Sequence, residues 1–138
     1  MGCFLSCPGA TGYTVERPQR PIELGRSEVI RPGTSGTIIC CGTQLSACIA
    51  ASDQLRGIGL DVGVINARFV KPLDHETILR AITDSPFVVT VEESALMGGF
   101  GSAVLEAAAD EGLDTSNVRR LGIPDTFVEH AERGELLA

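Results

Sequence analysis

From Ile22 onward, two hydrophobic periodicities alternate along the chain. Thr37-Ile-Ile-Cys-Cys41 is a continuous apolar run of the kind found in strands buried on both faces, and Gly42-Thr43 closes it. The period then changes. Leu45, Cys48, Ala51, Leu55 and Ile58 recur three or four residues apart, which predicts one face of a helix, and Gly57 and Gly59 stop it. Asp61 to Ile65 predicts a second buried strand. Asp74 is placed to cap a helix whose apolar stripe is Ile78, Ala81 and Ile82, with Lys71-Pro72 just ahead of it. Phe87 to Val91 predicts a third strand. Gly98-Gly-Phe-Gly-Ser102 then opens a helix carrying Val104, Leu105 and Ala108, which Gly112 ends. Val118 to Ile123 predicts a fourth, less apolar core strand, and Glu28 to Arg31, closed by Pro32-Gly33, a short edge strand.

Buried strands joined through helices by short connections imply an α/β domain, a parallel sheet wound right-handedly with helices on both faces. Residues 1–21 stand apart from this pattern. They have no usable periodicity and no basic n-region, and Pro18 and Pro21 mark an extended linker, so a disordered leader is expected there and a domain over residues 22–138. Gly2 and Ser6 fit the loose pattern for N-myristoylation, with Cys3 beside them, but a pattern this short is often matched by chance.

Composition narrows the function classes. A formal net charge of −7 argues against nucleic acid and anionic membrane as partners, because both would repel this surface. No apolar run is long enough to span a bilayer. The cysteines Cys3, Cys7, Cys40, Cys41 and Cys48 lack zinc-site spacing and are expected as thiols in a reducing, cytoplasmic compartment, those of the domain as small buried hydrophobes.

In an open parallel sheet, ligands and partners meet the carboxyl ends of the strands. That rim is chemically thin here. Gly98, Gly99 and Gly101 before Ser102 form a candidate anion cradle at a helix start, although neither a dinucleotide fingerprint nor a P-loop is completed. Glu92 and Glu93 point to opposite faces of a strand and cannot work as an acid–base pair on one substrate; ion pairing or capping is the expected role. Arg68 is the candidate for gripping an anion or a carboxylate on another domain, with an intradomain salt bridge as its expected role. His75 and His130 lie near no nucleophile motif, and no Gly-x-Ser-x-Gly elbow exists.

Three segments, in order, carry a resemblance. Asn66-Ala-Arg-Phe-Val-Lys-Pro-Leu-Asp74, Val89-Thr-Val-Glu-Glu93 with Gly98-Gly-Phe-Gly-Ser102, and Leu121-Gly-Ile-Pro-Asp-Thr-Phe127 with His130 resemble the last domain of 1-deoxy-D-xylulose-5-phosphate synthases. Ile22-Glu-Leu-Gly25 and Cys41-Gly-Thr43 are similar to it as well. The resemblance implies a three-layer αβα sandwich of the transketolase C-terminal type, with a five-stranded, mostly parallel sheet and one antiparallel edge strand. It implies a full enzyme that joins pyruvate to glyceraldehyde 3-phosphate with loss of carbon dioxide, using thiamine diphosphate and Mg²⁺, and so feeds isoprenoid, thiamine and pyridoxal synthesis. In that family this domain supports the dimer, and the cofactor lies between the two preceding domains.

The resemblance therefore assigns no catalytic, cofactor-binding or metal-binding residue to this chain. The family's diphosphate-binding stretch, activating Glu and substrate-phosphate Arg all fall upstream of it. Residues 1–12 do not resemble the family's connector, and Glu135-Leu-Leu-Ala138 falls inside the family's last helical segment, so a truncated domain is expected. The expected role is a catalytically silent domain that forms a homodimer or docks on other synthase domains. The alternative is a small module that binds an anionic effector at the glycine segment or Arg68.

Overall fold

A computed structural model describes residues 21–124. Its elements run β1 (Glu28–Arg31), β2 (Gly36–Cys40), α1 (Leu45–Gly57), β3 (Val62–Asn66), α2 (His75–Asp84), β4 (Val88–Ala95), α3 (Phe100–Asp110) and β5 (Val118–Ile123). The sheet order is β1-β3-β2-β4-β5. β2 pairs in parallel with β3 and β4, and β4 with β5, while β1 lies antiparallel on the outer side of β3. This is the three-layer αβα sandwich with one antiparallel edge that the resemblance implies.

Alternation along the strands divides the core in two. Ile39, Ile65, Val88 and Val118 face α2 and α3, where Ile78, Ile82, Phe100, Val104 and Ala108 meet them. Ile38, Cys40, Val62 and Val64 face α1 and pack on Leu45 and Cys48. β2 is buried at every position because both layers cover it, and that is why Ile38, Ile39 and Cys40 follow one another without a polar break, while the hydroxyl of buried Thr37 is hydrogen-bonded to Ser85 Oγ (2.7 Å). Gly112, at φ 68°, ends α3 in the left-handed region, and Leu113 N–H reaches back to the Ala108 carbonyl (2.9 Å).

Two expectations need correction. The buried stripe of α1 is Leu45, Cys48 and Ser52, with Leu55 partly buried behind them; Ile58 lies past the helix end and is 74% exposed. Ser52 takes the core position because its hydroxyl donates to the Val62 carbonyl (2.6 Å) and accepts from Arg31 Nη1 (3.2 Å), so no polar atom is orphaned. Strand β4 also continues beyond Val91 to Ala95. Its polar end stays in the sheet because Ala95 pairs with Ile123 across an irregularity that follows Val91. Among the described residues, no helix is long and apolar enough to cross a membrane.

Candidate functional site

The carboxyl ends of β2, β3, β4 and β5, with the amino end of antiparallel β1, form one rim. Period-two alternation in β4 sends Val88, Thr90 and Glu92 towards α3, and Val91 and Glu93 to the opposite face. Glu92 is therefore buried, at 4% exposure. Its carboxylate accepts from the backbone N–H of Phe100 (2.6 Å) and of Gly101 (2.8 Å), and from the Ser94 hydroxyl. A negative charge thus sits on the first turn of α3, where two N–H groups without helical partners point at it. Gly99 is required beside it: a side chain there would collide with the Glu92 carboxylate and the Ala95 carbonyl. Glu93, on the other face, accepts from Gln44 Nε2 at 2.5 Å.

Arg120 secures the loop between β4 and α3. Its Nη1 donates to the Leu96 carbonyl (2.7 Å) and to Ser102 Oγ (2.9 Å). Ser102 Oγ in turn donates to the Leu96 carbonyl (2.7 Å) and accepts from Gly98 N–H (3.2 Å). The glycine segment is accordingly held on one side by Glu92 and on the other by Arg120. Sequence reasoning passed over Arg120; the available signal was its position two residues after Val118, which places it on the α3 face of β5 opposite Thr90.

Arg68 occupies the left-handed region at φ 60°, with Asn66 Oδ1 accepting from its N–H (3.1 Å). Its Nη2 donates to Glu28 Oε2 at 2.7 Å, and the two side chains are only 14% and 15% exposed. Asp74 caps α2 and is 3% exposed. Burial pushes its pKa up, but hydrogen bonds from Ser27 N–H (2.7 Å) and Thr77 N–H (3.2 Å) outweigh burial and hold it below the ordinary Asp value. His75 is the first residue of α2. His130, and the N-terminal Gly2, Cys3, Ser6 and Cys7, lie outside the described residues.

Cys40, Cys41 and Cys48 are free thiols. Cys40 and Cys48 pack in the α1 layer, and Cys41 packs on the opposite cluster. Burial, and then the nearby Glu92 charge, push the Cys41 thiol up to about 11. Among the described residues, no group of three or more His, Cys, Asp or Glu could hold a metal ion. The buried carboxylates Glu92 and Asp74 are spent on helix starts. This donor set does not fit a metal–diphosphate group.

Fold and rim together define an α/β domain with an antiparallel edge whose best-placed rim charges are bound within the domain. The chain belongs to the transketolase C-terminal domain family: residues 25–138 match the family described as transketolase, C-terminal domain. It is 50% identical over 130 residues to a 1-deoxy-D-xylulose-5-phosphate synthase of Rhodopirellula baltica, a match covering 94% of the chain and 20% of that protein. That match includes residues ahead of Ile22. Identity to 1-deoxy-D-xylulose-5-phosphate synthase 2 of Geobacter sulfurreducens is 46% over 127 residues, again 20% of the relative. The chain thus spans about a fifth of the length of these relatives. Among solved structures it is similar to a split gene transketolase, inactive beta4 tetramer, at a TM-score of 0.81 and 30% identity, covering 91% of this chain and 41% of that one.

Proposed function

We propose that this chain acts as the carboxyl-terminal support domain of a 1-deoxy-D-xylulose-5-phosphate synthase and carries no catalytic group of its own. The observation that carries the reading is the bonding of Glu92. The one buried carboxylate on β4 at the rim is consumed by the start of α3 and is not presented to a substrate. In this reading the whole enzyme condenses pyruvate with glyceraldehyde 3-phosphate on thiamine diphosphate and Mg²⁺ held by other domains. A pocket for that cofactor must exclude water and clamp a metal diphosphate, and an open rim of paired charges supplies neither.

The domain, over residues 22–138, contributes by holding other domains or a second subunit in place. A cytoplasmic setting fits the free, largely buried thiols of Cys40, Cys41 and Cys48. The glycine segment lends no support to an effector-binding role, since the N–H groups of Phe100 and Gly101 already bind a carboxylate. The test is a turnover assay of the purified chain with both substrates, thiamine diphosphate and Mg²⁺. No product is expected; product above a heat-inactivated control would sink the reading.

A further inference from the structure

Two buried thiols meet in the α1 layer. Cys40 ends β2 and Cys48 lies at the first turn of α1; they are 0% and 4% exposed and share one cluster with Leu45. Their side chains are hydrogen-bonded to each other, and Cys40 Sγ also lies 3.5 Å from the Ile65 carbonyl. The bond between the thiols holds the Cys48 pKa below the ordinary value, against the opposing effect of burial. The same bond, and then burial, push Cys40 up. The pair is therefore unequal: Cys48 is the sulfur that ionises first and attacks, and Cys40 the thiol that follows. Cys41 takes no part, because it packs on the opposite face of the sheet.

The start of α1 is also the least secured of the three helix starts. α2 begins on the Asp74 carboxylate and α3 on that of Glu92. α1 has neither a side-chain cap nor an acidic residue in its first turn, and Gln44, at its N-cap, gives its amide to Glu93 instead. An uncapped first turn opens at lower cost than the strands behind it. Such an opening brings Cys48 to solvent with Cys40 directly behind it.

We infer that Cys40 and Cys48 are a peroxide-sensitive dithiol that closes to a disulfide and fastens the start of α1 to the end of β2 at the carboxyl rim. The Cys48 thiolate attacks one oxygen of hydrogen peroxide, the O–O bond breaks, and hydroxide leaves to take up a proton as water. Cys40 then attacks the sulfur of the resulting sulfenic acid; the S–S bond forms, the S–O bond breaks, and the second oxygen leaves as water with the Cys40 proton. Two thiols are oxidised and one peroxide is reduced. A reducing compartment returns the pair to thiols, as befits a transient disulfide. The inference is independent of the support-domain reading.

The full chain carrying Cys3→Ser, Cys7→Ser and Cys41→Ala is treated with hydrogen peroxide below its unfolding transition, and its intact mass and Tm are read. The expected product is lighter by two hydrogen atoms (about 2 Da), is reversed by dithiothreitol, and keeps the parent circular dichroism. Closing a loop of about nine residues should raise its Tm by roughly 5 °C or more. Adding Cys40→Ala or Cys48→Ala should abolish the loss of hydrogen and leave oxygen addition as the reaction of the remaining thiol. Oxygen addition without loss of hydrogen in the chain that holds both cysteines would overturn the inference, as would an unchanged mass. A disulfide that lowers Tm would overturn it too, since the bond would then form against the fold. Where a single-cysteine variant does not fold, isolation of the disulfide-bearing peptide from the parent background decides between the same outcomes.

Discussion

Replacing Glu92 with Gln tests whether the start of α3 is organised by a buried charge. The carboxylate binds two backbone N–H groups and a hydroxyl at 4% exposure, so water cannot substitute for it. Glutamine retains one acceptor oxygen but sets an NH₂ against the remaining N–H, so that one charge-assisted bond is lost and two donors face each other. A charge-assisted bond contributes about 1.5–3 kcal/mol and an orphaned buried donor costs about 1–3 kcal/mol. The helix-start charge adds up to about 1 kcal/mol. Allowing for overlap, Glu92→Gln should cost about 2–3 kcal/mol and Glu92→Ala about 3–5 kcal/mol. For a domain of about 100 residues this lowers Tm by roughly 10 °C or more. Urea unfolding followed by far-ultraviolet circular dichroism reads the change as a fall in midpoint at constant slope. Glu93→Gln, on the other face of the strand, serves as control and should cost about 1 kcal/mol or less. A Glu92→Gln variant within about 0.5 kcal/mol of the parent protein would refute the assignment.

Gly99→Ala should destabilise by about 1–3 kcal/mol, because the methyl group has no room beside the Glu92 carboxylate and the Ala95 carbonyl; unchanged urea stability would contradict that packing. Asp74 has a folded pKa below its unfolded value of about 3.9, so its stabilisation is complete above about pH 4 and disappears as pH falls through the lower folded value. Asp74→Asn should flatten that acid limb, and an identical pH profile in the variant would count against the two backbone bonds. In a Cys3→Ser, Cys7→Ser background, the remaining thiols should react slowly with a disulfide reagent at pH 8, Cys41 because its pKa is near 11 and the others because they are buried. Fast reaction in the native state and no acceleration in denaturant would show otherwise.

Much of this arrangement was legible in the sequence. The run at Thr37–Cys41 carried the central strand because a strand covered on both faces has no polar side to show. Asp74 was legible as a cap because its carboxylate acts locally, on Thr77 three residues ahead. The misreadings occurred where polar residues took core positions. Ser52 replaces an apolar residue on the α1 stripe by bonding to β3, a partner that helical spacing cannot reveal. A capping role was expected for the Glu92-Glu93 pair, but that Glu92 is the buried one shows only when α3 folds back over it, and Arg120 acquires its role only when β5 is placed beside β4. The edge strand β1 was located by Pro32-Gly33, but its antiparallel direction came only with the family resemblance, because four residues carry no sense of direction.

The measurement that bears most directly on the support-domain reading is calorimetric titration of the purified chain with thiamine diphosphate in the presence of Mg²⁺. No saturable heat is expected. A saturable isotherm that is lost in Glu92→Gln or Arg68→Ala variants shown to remain folded would contradict it, and would return the cofactor's chemistry to the rim of this domain.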